Sequence, residues 1–203
     1  GGTWATSPDP VDFRRLQMVD IYAQPSVFKD KDARDIPSFR KGASPTMTMQ
    51  QEVAGEHILG PGSTSGQQWA SWMAAWGPRN EQKKIVPLFD SVTGDINPQV
   101  VGYYKRFDIS QLLRAQPEKH LPVFRDRIRI VVGTLDNFYL NEAVALLRDT
   151  VADLAKSRDD FKNRDAWKGS IRLVANADHG SILASPPVRA FPREMLEALH
   201  DHG

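Results

Sequence analysis

The 203-residue chain contains no cysteine. Disulfides, thiolate nucleophiles and cysteine-ligated metals are thereby excluded, and the redox compartment leaves no mark on the sequence. Net charge is almost absent too: 26 Lys and Arg stand against 25 Asp and Glu, with both signs spread along the chain. No basic face for nucleic acid or an anionic membrane is expected from that distribution. No apolar run approaches the roughly 18 residues of a membrane span. Internal repeats and low-complexity tracts are missing as well. The opening "GGTWATSP" reads as a strand entered at full stride, with no leader-like segment, which leads us to expect that the native start lies upstream.

What is present suits one domain of mixed α/β class. Gly1–Ser7 reads as a strand ended by "SPDPVD", because Pro8 and Pro10 cannot continue a central strand. Val11–Tyr22 carries Phe13, Leu16 and Val19 at helical spacing and predicts a short helix. The following "FKDKDARDIPSFRKGASP" reads as a solvated loop. In "QQWASWMAAWGP", Trp69, Trp72 and Trp76 recur along one helix face, with Gly77-Pro78 as its stop. Such a stripe is either core packing or an aromatic wall over a substrate cleft. Asn97 before Pro98 predicts a capped helix start.

The last third is the most legible. "RIRIVVGTLD" has the unbroken apolar centre of a strand covered on both faces. Leu140, Val144, Leu147, Val151 and Leu154 then mark an amphipathic helix, with Asn141 as its expected cap. "SIRLVANAD" is a second strand, and "FPREMLEALHDHG" a terminal helix. Strand–helix–strand–helix at this spacing is a βαβ unit with parallel strands. Side chains just past the carboxyl ends of parallel strands meet at one crevice. Asp136 follows the first strand and His179 the second. An acid on Nδ1 of a histidine fixes its tautomer and leaves Nε2 as a base. Asp178 competes for the acid's role, and "LDN" around Asp136 is also good turn chemistry. The other histidines, His57, His120, His200 and His202, read as structural or solvated.

"VVGTLDNFYLNEAVALLRDTV", the later "DHG", and the opening "GGTWATSPDPVDF" together resemble esterases of the α/β-hydrolase superfamily, the relatives of enterochelin esterase and feruloyl esterase. In that family a Gly-x-x-Asp-x-x-Tyr-Leu pattern carries the catalytic acid and a histidine after the next strand carries the base, positions matched here by Asp136 and His179. "TGDINPQVVGYYKRFDI" fits the segment before the acid-bearing strand. The resemblance implies the C-terminal part of a three-layer α/β/α sheet, mostly parallel, lacking its N-terminal strands and nucleophile elbow. It divides the chain into a strand and helix over residues 1–24, a lid-like insertion over 25–95, and the acid- and histidine-bearing units over 96–203. Trp69, Trp72 and Trp76 would then be candidates for a lid or acyl pocket.

The implied reaction is hydrolysis of a carboxylic ester, with no cofactor or metal. Its nucleophile is missing. The superfamily order is Ser, acid, His, with Ser in Gly-x-Ser-x-Gly. The nearest string is "GSTSG", Gly62–Gly66, which centres on Thr64 and reads as a loop. The expected partners are a small ester and either the missing N-terminal half or a second copy of the chain. The alternative is a non-catalytic binding or structural module that keeps the scaffold alone.

Overall fold

In a computed structural model, residues 1–61, 64–159 and 169–200 are described. The chain forms two compact units, residues 1–12 with 109–203, and residues 13–108. The inserted unit is therefore wider than the 25–95 expected. Phe13, Leu16, Val19 and Ile21 belong to its core, together with Leu88, Val100 and Tyr104 near its other end.

The first unit is built on a parallel three-stranded sheet of order β1 (Thr3–Thr6), β4 (Ile128–Gly133), β5 (Ser170–Val174). β4 is the central strand, and Ile130, Val131 and Val132 are all buried, as its apolar run requires. Alternation along the strands splits its side chains between two faces. On one face Ile130 and Val132 pack with Leu113 of α4 (Ile109–Ala115), Leu121 and Phe124 of α5 (Pro117–Arg127), and Val144 and Leu147 of α6 (Leu140–Lys156). On the other, Val131 packs with Ile182 and with Phe191 at the start of α8 (Phe191–His200). Here Arg129 would be an isolated buried cation, but Glu194 lies 3.3 Å from its Nε and the Trp4 ring lies beneath its guanidinium. Helices thus cover both faces of a parallel sheet, a mixed α/β arrangement. A short helix, α7 (Pro186–Arg189), precedes α8.

The second unit holds an antiparallel hairpin, β2 (Pro37–Lys41) and β3 (Ser44–Thr48), and the helices α1 (Met49–Leu59), α2 (Gln68–Trp76) and α3 (Pro98–Tyr104). Gly42, at φ +60°, allows the tight hairpin turn. α1 begins with a reciprocal capping box between Thr48 and Gln51, and α3 is capped by Asn97, whose side chain accepts from Gln99 N–H. The helix expected over Val11–Tyr22 is only one 3-10 turn, Phe13–Arg15. Gln17 has φ +54° and Leu16 pairs back with Val19, so the chain turns where a helix would continue. Among the described residues no helix is long and apolar enough to cross a membrane.

Candidate active site

β4 and β5 deliver their following loops to the same end of the sheet, and backbone bonds then lace those loops together. Thr134 N–H donates to the Val174 carbonyl and Leu135 N–H to that of Ala177, both at 2.9 Å. Asn176 N–H donates to Thr134 Oγ1. The approach is close enough that Gly133 has no space for a side chain, since a Cβ there would fall on the Ala177 carbonyl. The glycine of Gly-x-x-Asp is thus needed for contact between the loops.

Asp136 and His179 meet across this lacing. His179 Nδ1 lies 2.9 Å from Asp136 Oδ2. The carboxylate is fully buried, whereas the imidazole keeps 40 % of its side-chain surface exposed. Asp136 Oδ1 accepts the N–H groups of Phe138 and Leu140, at 3.0 and 3.3 Å. One oxygen therefore closes the first turn of α6 and the other orients the histidine. The turn residue and the partner of the histidine, alternatives in the sequence, are one side chain. Asn141, the expected cap, lies inside α6 and donates to Glu142 instead, because the helix, with Tyr139 at φ +60° as its N-cap, begins two residues earlier than a cap at Asn141 would need.

Asp178 points elsewhere. Its Oδ1 accepts from Gly180 and Ser181 N–H, and its own N–H donates to Ser181 Oγ. Those bonds, the Ser181 N–H foremost, hold its carboxyl below the ordinary aspartate range. It thereby binds N–H groups where the 3-10 turn Ser181–Ala184 begins after the histidine.

Asn137 and Phe138 also touch His179. Asn137 Oδ1 accepts the His179 backbone N–H at 3.2 Å. The Phe138 ring meets the imidazole edge-on, with centroids 5.1 Å apart and planes at 81°. The sequence had marked neither, although both lie in the Asp136 turn. With Nδ1 facing a carboxylate, the neutral imidazole carries its proton on Nδ1 and presents the Nε2 lone pair outward. A base so oriented can take a proton from a hydroxyl and return it to a leaving group.

The tryptophan stripe is mostly core. Trp69 and Trp72 are buried, at 5.1 Å from each other, and Trp69 abuts Phe89. Trp76 is half-buried, stacked on Trp72 and close to Phe13 and Tyr104. The helical spacing that suggested a cleft wall instead turns these rings into their own unit, and leaves Trp69 and Trp72 little surface for a substrate. A cavity of about 670 Å³ in that unit is edged by Trp69, Met73, Phe89, Glu56 and Lys84 and includes neither Asp136 nor His179.

Thr64 of "GSTSG" is exposed and donates to the Pro61 carbonyl, while Ser65 donates to Glu56; Ser63 and His202 lie outside the described residues. Among the described residues no cluster of three metal-binding side chains occurs. No family model, curated protein or solved structure matches the chain.

Proposed function

We propose that the chain is the acid- and base-bearing part of a serine-esterase-type hydrolase acting on a carboxylic ester. The observation that carries the reading is the 2.9 Å contact of a buried carboxylate with Nδ1 of a histidine that keeps solvent access. In the proposed reaction a serine hydroxyl attacks the ester carbonyl while His179 Nε2 takes its proton. The tetrahedral intermediate collapses as that proton passes to the leaving alcohol. Water then repeats the sequence on the acyl-enzyme, again through His179, with Asp136 stabilising each imidazolium.

The serine is assigned to sequence outside these 203 residues, since the chain holds no Gly-x-Ser-x-Gly and, among the described residues, no hydroxyl is hydrogen-bonded to His179 Nε2. β1 supports this. Among the described residues it is paired on one edge only, and apolar grooves flank it on both faces. Leu112, Val123, Met195 and Leu199 are exposed beside it. Such an edge offers a place for further strands, from an N-terminal half or from a second copy of the chain. A second reading, a binding or structural module that does no chemistry, keeps the same Asp136–His179 contact as structure alone.

Hydrolysis of short p-nitrophenyl esters separates the two. The 203-residue chain alone is expected to show no turnover, because among the described residues no hydroxyl is hydrogen-bonded to His179 Nε2; a protein extended at its N-terminus through the preceding sequence should be active. An extended protein that contains Gly-x-Ser-x-Gly and remains inert would favour the non-catalytic module.

A further inference from the structure

We infer that Asn137 is a positioning residue for His179, setting which ring nitrogen faces outward by fixing the backbone from which the ring hangs. Three consecutive side chains of the β4–α6 turn reach this one histidine. Asp136 takes Nδ1, Asn137 takes the main-chain N–H, and Phe138 meets the ring edge-on.

Each hold removes a different freedom. The bond to Asp136 alone is a pivot: the ring can swing about it while the loop behind it shifts. The loop before His179 is tied through Thr134–Val174, Leu135–Ala177 and Thr134–Asn176. The loop after it is tied by the Asp178 turn onto Gly180 and Ser181. Between these anchors the His179 N–H bonds to Asn137 Oδ1. A backbone N–H only donates, so the amide oxygen must face it, and the same atom could be supplied by aspartate but not by leucine. Phe138 then limits the swing of the imidazole that the first two contacts leave open.

The inference deepens the proposed function and rests on that reading for the use made of the presented Nε2; the geometry of the hold does not depend on it. The test therefore reads the ring and not a reaction. In the 203-residue chain, ¹⁵N NMR at a pH where the imidazole is neutral reports whether Nδ1 or Nε2 of His179 carries the proton, with His179→Ala used to assign the signal. Hydrogen exchange of the His179 amide is followed in parallel, and exchange at Val131 in the central strand monitors the fold. Asn137→Leu, similar in size but without an acceptor, should speed His179 amide exchange about fivefold, the loss of one ordinary hydrogen bond. It should also convert a single Nδ1–H form into a mixture containing Nε2–H. Asn137→Asp should restore both readouts. If Asn137→Leu fails to fold, Asn137→Ala takes its place. An unchanged tautomer in the folded Leu or Ala variant overturns the inference, as does an Asp variant that behaves like Leu. Failure of ester hydrolysis in an extended protein would leave these readouts untouched, so the two ideas fail separately.

Discussion

Asp136 serves two structures with its two oxygens, and a pair of substitutions can separate them. Asp136→Ala removes everything: the N–H groups of Phe138 and Leu140 lose their acceptor, and His179 loses its carboxylate. Loss of a helix cap costs about 1 kcal/mol, and a hydrogen bond to a charged group contributes about 1.5–3 kcal/mol. The Asp136 side chain is fully buried, so water cannot readily replace the lost partner. A destabilisation of about 2–4 kcal/mol is expected. Asp136→Asn is different. Its amide oxygen can stay at the Oδ1 position and keep both backbone donors. Its NH₂ then falls opposite His179 Nδ1, where two donors would meet unless the ring gives up the Nδ1 proton. The asparagine variant should therefore lose only about 1 kcal/mol while its histidine switches to the Nε2–H form, which cannot act as a base on its outward side. Urea unfolding gives the first quantity and ¹⁵N NMR the second. Equal destabilisation by Ala and Asn, or an Nδ1–H tautomer that survives in Asn, would refute the division of labour between the two oxygens.

Further expectations concern the supports of the site and the second unit. Gly133→Ala places a methyl group against the Ala177 carbonyl and should cost about 1–3 kcal/mol in urea unfolding while spreading the two loops; a variant as stable as the parent would show that the loops have slack. Asp178→Asn retains the oxygen that accepts from Gly180 and Ser181, so the His179 tautomer should not change, and a switch like that of Asp136→Asn would transfer the acid's role to Asp178. Glu52 is half-buried in the second unit, and burial pushes its carboxyl up from 4.5 to about 7, against a hydrogen bond from Gln17 that lowers it. Between those values the unfolded chain has released a proton that the folded chain keeps, so the stability of this unit should fall as pH rises from about 4.5 to 7. The decline is on the order of 2–3 kcal/mol, followed by tryptophan fluorescence in urea, and Glu52→Gln should abolish it; an unchanged slope would assign the pH dependence to other groups.

The parts of this molecule that were legible in sequence are those where one periodicity served one role. The run Ile130–Val132 reads as a central strand and is one, and Val144, Leu147 and Val151 face the core of their own helix. The meeting of Asp136 with His179 was legible because parallel strands deliver their loops to one rim. Its tightness was not, since it depends on Gly133 and the Ala177 carbonyl, which touch across more than forty residues of chain. The β2–β3 hairpin was hidden by Pro37 and Pro45, and by charges that suggested a solvated loop. α1 buries only Met49 and Val53, too little for an apolar stripe, although Thr48 and Gln51 spell a capping box. Phe13, Leu16 and Val19 imitate helical spacing because successive turns, not a helix, bring them into the same core. The tryptophans of α2 could not be assigned to core or cleft by spacing alone, as both uses need the same helix face.

The most direct test of the account is the effect of His179→Ala on ester hydrolysis by the N-terminally extended protein. As the only group assigned to move protons, His179 should carry most of the acceleration. The account predicts a fall in kcat on the order of 10³–10⁴ or more, with KM little changed, while the variant remains folded by amide exchange. An extended, active protein that is indifferent to His179→Ala would contradict the assignment of Asp136 and His179 as its acid and base.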